Sequence, residues 1–167
     1  MIPKVSIIMG STSDLGVMEA AAKLFDEFEI PFEINALSAH RTPAEVEKFA
    51  RSARDRGIKV IIAGAGMAAH LPGVIAAMTP LPVIGVPIKA SLDGMDALLA
   101  IVQMPPGIPV ATVAINGALN AGLLAIQIMA AGDEALMEKF VLYKDGLKEK
   151  IVRANKELAG VQYKYKI

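Results

Sequence analysis

The 167-residue chain contains no cysteine. That excludes a disulfide framework, thiolate zinc sites and a cysteine nucleophile, and it suits a reducing cytoplasm. Net charge is missing too, since 17 lysines and arginines balance 17 aspartates and glutamates. No global field therefore draws the chain to nucleic acid or to an anionic membrane. Residues 60–88 and 97–132 carry no Asp, Glu, Lys or Arg, but prolines interrupt both stretches. No unbroken apolar run of about 20 residues remains to span a bilayer. The apolar run at residues 5–9 is too short for a signal peptide, and no cleavage pattern follows it. Aromatic residues make up only 5% of the chain, which disfavours stacking of a flavin ring.

Aliphatic residues are plentiful. The hydrophobic fraction is 54% and the charged fraction 20%. A small domain must cover much surface, so a monomer of this composition would expose apolar patches of the kind that mark interfaces. An obligate homo-oligomer is expected. No internal repeat, low-complexity tract or linker divides the chain, and residues 1–167 read as a single domain.

Short apolar runs at 5–9, 32–37, 60–63, 83–86 and 110–115 alternate with helical patterns. This predicts an α/β fold whose parallel sheet is covered by helices on both faces. The first four runs are rich in valine and isoleucine, as doubly covered strands are. Over 14–28, Met18, Ala21, Phe25 and Phe28 fall on one helical face. Thr42-Pro43-Ala44-Glu45 combines a capping box with proline at the first helical position. The helix it opens buries Val46, Phe49 and Ala53. Pro72 starts a short helix that stops before Thr79-Pro80, and 117–131 forms an apolar helix. A final helix spans about 133–158, with Leu136, Phe140, Tyr143, Leu147, Ile151, Ala154 and Leu158 in one stripe. The stripe is longer than the sheet it would pack on. It reads either as an ordinary amphipathic face or as one reaching a neighbouring subunit.

Ligands of open α/β sheets bind beyond the carboxyl ends of the strands, and three junctions there carry unusual residues. Gly10-Ser11-Thr12-Ser13-Asp14 offers small residues, hydroxyls and helix-start amides suited to phosphate, or else a plain helix cap. It matches neither a Walker loop nor a dinucleotide fingerprint. Ser38-Ala39-His40-Arg41 offers a guanidinium fork for phosphate and an imidazole titrating near neutrality. Gly64-Ala65-Gly66-Met67-Ala68-Ala69-His70 repeats the plan of small residues, histidine and proline-led helix, although its glycines could serve only tight helix–strand packing. The chain has two histidines, and both fall at this edge. Two imidazoles with one nearby carboxylate make an incomplete metal set, and no GxSxG elbow is present.

MGSTSD, SAHRTP, AGAGMAAHLPG and IVQMPPGIPVATVAI occur in this order, and together they closely resemble the PurE family of purine biosynthesis. The resemblance implies a flavodoxin-like three-layer α/β/α sandwich with a central parallel sheet and a long C-terminal helix. It also implies a homo-octamer with active sites at subunit contacts. The implied reaction converts N5-carboxyaminoimidazole ribonucleotide to 4-carboxy-5-aminoimidazole ribonucleotide without ATP, metal or biotin. His40 would be the general acid–base. Ser11 and Arg41 would hold the phosphate end, and Asp14 the sugar or base. Ser38 and the backbone around Gly66 would position the carboxylate, and His70 would line the pocket. Arg41 matches the SAHR of the mutase form rather than the SAHK of the carboxylase form, which uses carbon dioxide directly. That carboxylase is the alternative enzyme, and an inactive nucleotide-binding module is the alternative outside catalysis. The chain departs from the family at Met67, where glycine is usual, and in a shorter 88–94 stretch.

Overall fold

A computed structural model describes the whole chain, Met1–Ile167. The chain comprises two compact units, Met1–Met129 and Ala130–Ile167.

The first unit contains β1 (Val5–Met9), α1 (Leu15–Glu27), β2 (Phe32–Ala36), α2 (Pro43–Ser52), β3 (Val60–Gly66), α3 (Leu71–Met78), β4 (Val83–Ile88), α4 (Met95–Val102), β5 (Ala111–Thr112) and all but the last residue of α5 (Ala118–Ala130). All strands run parallel in the order β2-β1-β3-β4-β5, which is the flavodoxin-like order. Because β1 is followed by β2 on one side while β3 lies on the other, the loops leaving β1 and β3 diverge. A crevice opens between them.

Side-chain alternation along the strands assigns the two faces. Ile8, Ile61, Ala63 and Ala65 share a buried core with Val46 and Phe49 of α2, Ile75 of α3 and Ala97 and Ile101 of α4. On the opposite face a Cβ on Gly64 would fall 2.6 Å from Met18 Sδ of α1, and one on Gly122 of α5 would meet Leu24 and Ala21. These glycines let helix backbones close onto the sheet and onto each other. The expected buried face of α1, Met18, Ala21, Phe25 and Phe28, is buried, as are Val46, Phe49 and Ala53.

Several boundaries and one covering differ from expectation. β2 is an edge strand with Ile34, Asn35 and Ala36 exposed, so it is not doubly covered. β3 and β4 run to residues 66 and 88, beyond the apolar runs, because glycine and proline on inner strands keep the same pairing register. β5 shrinks to two residues, since Pro105, Pro106 and Pro109 supply no donors ahead of it. The chain continues beside β4 only through isolated bonds, Val113 N to Gly85 O (3.2 Å) and Asn116 N to Pro87 O (2.8 Å). The sequence pattern also does not foresee α4, whose uncharged neighbourhood hides its period.

One buried polar side chain sits in the sheet. Ser6 is fully buried on β1 and donates to Glu33 Oε1 of β2 at 2.9 Å. Glu33 Oε2 accepts from Arg56 Nη1 at 2.7 Å, and the Arg56 guanidinium lies 5.2 Å from the centre of the Phe49 ring.

The second unit is dominated by α6 (Glu134–Gly160). Asp133 caps it by accepting from Leu136 N at 3.1 Å. At its far end Lys166 Nζ donates to the carbonyls of Leu158, Ala159 and Val161, groups that a helix end otherwise leaves unpaired. Of the predicted stripe, Phe140 is buried and Leu136, Tyr143 and Ala154 are half-buried. Leu147, Ile151 and Leu158 are exposed, the last two at 65% and 60%. No helix of the chain is long and apolar enough to cross a membrane.

Candidate active site

The loops after β1, β2, β3 and β4 enclose one cleft of about 570 Å³ at the carboxyl edge of the sheet. All the side chains and the glycine singled out in the sequence line it: Ser11, Asp14, Ser38, His40, Arg41, Gly66 and His70. None falls elsewhere. Sequence reasoning misses Ala90, which follows β4 and is the only residue of the 88–94 stretch on the cleft wall.

After β1, Ser11 Oγ accepts from Ser13 N at 3.3 Å and begins one turn of 3-10 helix, Thr12–Asp14. Ser13 Oγ donates to Asp14 Oδ1 at 3.2 Å. This loop thus performs the capping role and also presents Asp14 to the cleft.

After β2, the expected capping box does not form. Thr42 makes no side-chain bond into α2. Its hydroxyl turns back, accepting from Ser38 N at 2.9 Å and donating to Ser38 O at 3.1 Å. Proline at the first helical position already removes one amide that a cap would satisfy, so the hydroxyl is available to close the preceding turn. Inside that turn Ser38 Oγ accepts from Arg41 N (3.2 Å) and Arg41 Nε (3.3 Å). Arg41 Nη2 donates to Gly10 O at 2.8 Å. The guanidinium is therefore fixed across the mouth between the β1 and β2 loops. No carboxylate pairs with it, and its fixed donors suit a doubly charged oxyanion such as a phosphate.

After β3, Gly66 marks a close approach: a Cβ there would lie 3.2 Å from Ile88 O and 3.3 Å from the Ala90 Cβ. Ala69 N donates to Gly66 O at 3.0 Å. Met67 has φ of 56° and Ala69 φ of 45°. This left-handed backbone explains why glycine would be at ease at position 67. Met67 itself is 61% exposed.

The β2 and β3 loops bring the two histidines into contact. His40 Nε2 and His70 Nδ1 stand 2.7 Å apart, with ring centroids at 4.8 Å and planes at 80°. Thirty residues separate them in sequence, and no spacing rule foretells the bond. The 88–94 stretch folds on itself beside the cleft: Lys89 pairs with Asp93 at 2.9 Å, and Leu92, Asp93 and Gly94 all have positive φ. No group of three or more metal-ligating side chains is gathered anywhere in the chain.

An exposed acid–base pair, a fixed guanidinium and a wall of small apolar residues together suit proton transfer on a small anionic substrate. Comparison with known proteins agrees. Residues 4–150 match the AIR carboxylase family. The chain is 59% identical over 148 residues to an N5-carboxyaminoimidazole ribonucleotide mutase of Pyrococcus abyssi, covering 88% of this chain and 85% of that protein. It is 55% identical over 163 residues to a phosphoribosylaminoimidazole carboxylase of Schizosaccharomyces pombe, covering 97% of this chain but only 30% of that protein. The crystal structure of Treponema denticola PurE superposes with a TM-score of 0.83 at 30% identity, covering 93% of this chain and 98% of that one.

Proposed function

The chain belongs to the AIR carboxylase family, and from that premise we propose that its cleft converts N5-carboxyaminoimidazole ribonucleotide to 4-carboxy-5-aminoimidazole ribonucleotide. It is an isomerase of purine biosynthesis. The observation that carries this reading is the convergence of loops from four strand ends on one cleft, with Arg41 fixed at its mouth and both histidines inside.

In the proposed mechanism Arg41 and Ser11 take the phosphate, and Asp14 takes the sugar or base. Ser38 and the backbone around Gly66 hold the carboxylate. His40 protonates the ring-bound nitrogen as the carbamate C–N bond breaks and carbon dioxide departs. The ring carbon then attacks the retained carbon dioxide, and His40 recovers the proton that carbon loses. One group serves both steps, because the first leaves it as the base the second requires. Small apolar residues at 65, 68 and 69 keep water from the freed carbon dioxide and hold it at high effective concentration.

The same reading takes residues 1–167 as one functional domain of a cytoplasmic homo-octamer, with helix 133–158 packed on neighbouring subunits. The exposed Ile151 and Leu158 support that packing. A carboxyl-transfer assay decides the reaction. Turnover of the N-carboxylated ribonucleotide without added bicarbonate is expected. Turnover only of aminoimidazole ribonucleotide, and only with bicarbonate, would make the enzyme the direct carboxylase instead.

A further inference from the structure

One side chain on the cleft wall differs in kind from its neighbours. The other apolar residues there are alanines, too short to reach over a ligand, and Leu71, which belongs to the core and is 3% exposed. Met67 is the one large apolar side chain of the wall left open, at 61% exposure. It holds the first central position of the turn that Ala69 N closes onto Gly66 O at 3.0 Å. Its φ of 56° is a backbone that glycine adopts freely and a side-chain-bearing residue does not. Exposed as it is, the methionine recovers little of that strain through burial. Folding alone therefore gives no reason for its presence, and glycine would suit the turn better. Backbone strain of this kind persists where function uses it.

We propose that Met67 covers the carbon dioxide freed in the cleft and keeps it against the ring carbon until the new bond forms. The inference rests on the reaction assigned above. There the carbamate C–N bond breaks, the nitrogen takes a proton, and the released carbon dioxide has two fates. Either the ring carbon attacks it and loses its own proton, giving the product, or it escapes and leaves aminoimidazole ribonucleotide behind. Carbon dioxide is neutral and has no net dipole, so polar groups hold it poorly once it is free. What sets the ratio of the two fates is how well the site is closed to exchange with water. Met67 directly follows Gly66, whose backbone takes the carboxylate in the assigned mechanism, so it stands next to the point of release. An unbranched, flexible thioether can lie over a small apolar molecule there. The loop after β4 brings only Ala90 to the wall, and a methyl group has no such reach.

The test follows the carboxyl carbon. Unlabelled N-carboxylated ribonucleotide is turned over in ¹³C-bicarbonate with carbonic anhydrase present, and the product is weighed by mass spectrometry at low conversion against a control without enzyme. The wild type should give product with little label and release little aminoimidazole ribonucleotide. Met67→Gly should raise the labelled share roughly 10-fold, the low end of what one apolar contact contributes in a small-ligand pocket, and raise the escaped ribonucleotide with it. Met67→Ala keeps a side chain on the strained backbone but loses the reach, so it should leak as the glycine variant does. Met67→Leu keeps an apolar cover and should stay near wild type. The labelled share is a ratio, so a loss of folded protein does not move it. An unchanged share in the Gly and Ala variants would overturn the proposal. So would leakage by the Gly variant alone, which would assign the effect to backbone freedom, or equal leakage by the Leu variant. Fully labelled product from the wild type would overturn the cover and leave a carboxylation in place. No product at all from the wild type would instead overturn the assigned reaction, and the cover with it.

Discussion

The turn bearing His40 and the turn bearing His70 follow one sequence plan: a strand end, small residues, a histidine and a proline-led helix. They hold their histidines by different means. From Ser38 to Thr42 no residue has positive φ, and the Thr42 and Ser38 hydroxyls tie the turn to itself. From Gly66 to His70 one backbone bond closes the turn, and Met67 and Ala69 sit in left-handed conformations. Each such residue costs about 1–2 kcal/mol, so this turn is kept in shape by its surroundings, among them the buried Ala69 and Leu71. The first turn carries its own fastening and can present an exposed catalytic group. The second depends on the core behind it, and its histidine meets the first.

That division assigns chemistry to the first turn. His40→Asn should lower kcat by about 10²–10⁴-fold, the usual contribution of a positioned acid–base, while calorimetry still detects ribonucleotide binding. Retention of near wild-type kcat by His40→Asn would take the proton transfer away from this turn, and the contrast between the turns would fail. The fastening itself is tested by Thr42→Val, which keeps the volume but removes the hydroxyl. Ser38 N then lacks its acceptor, and stability should fall by about 1–3 kcal/mol, read as a lower denaturant midpoint. Thr42→Ser keeps the hydroxyl and should stay near wild type.

The same contrast explains what could be read from the sequence. Parallel strands, helix faces and both histidine edges were visible because each rests on local periodicity or on residue types confined to strand ends. The cleft residues were found for that reason, and the family motifs gave them roles. The 42–45 signature misled because a capping motif names a hydroxyl without saying which amide it meets, and Ser38 N won. α4 and the brevity of β5 stayed hidden in an uncharged stretch where polar punctuation is scarce. The 2.7 Å histidine bond was out of reach because it depends on the crossover that sets β1 between β2 and β3. Likewise, the strain at Met67 is a backbone property that the side chain does not announce.

The smallest expected effect probes that strain most directly. Glycine adopts positive φ freely, so Met67→Gly should recover about 1–2 kcal/mol in the folded state. The freer unfolded chain takes back about 0.4–1 kcal/mol. Little burial is lost with the side chain, because Met67 is 61% exposed. The net is a stabilisation of about 0–1.5 kcal/mol, visible as a small rise in the unfolding midpoint. Ala39→Gly in the other turn has no strain to relieve, so it should destabilise by about 0.4–1 kcal/mol. Opposite signs for these two substitutions follow from one turn being strained and the other fastened. If Met67→Gly instead destabilised by a similar amount, the methionine side chain would be holding the β3 loop, and both turns would owe their shape to their own side chains.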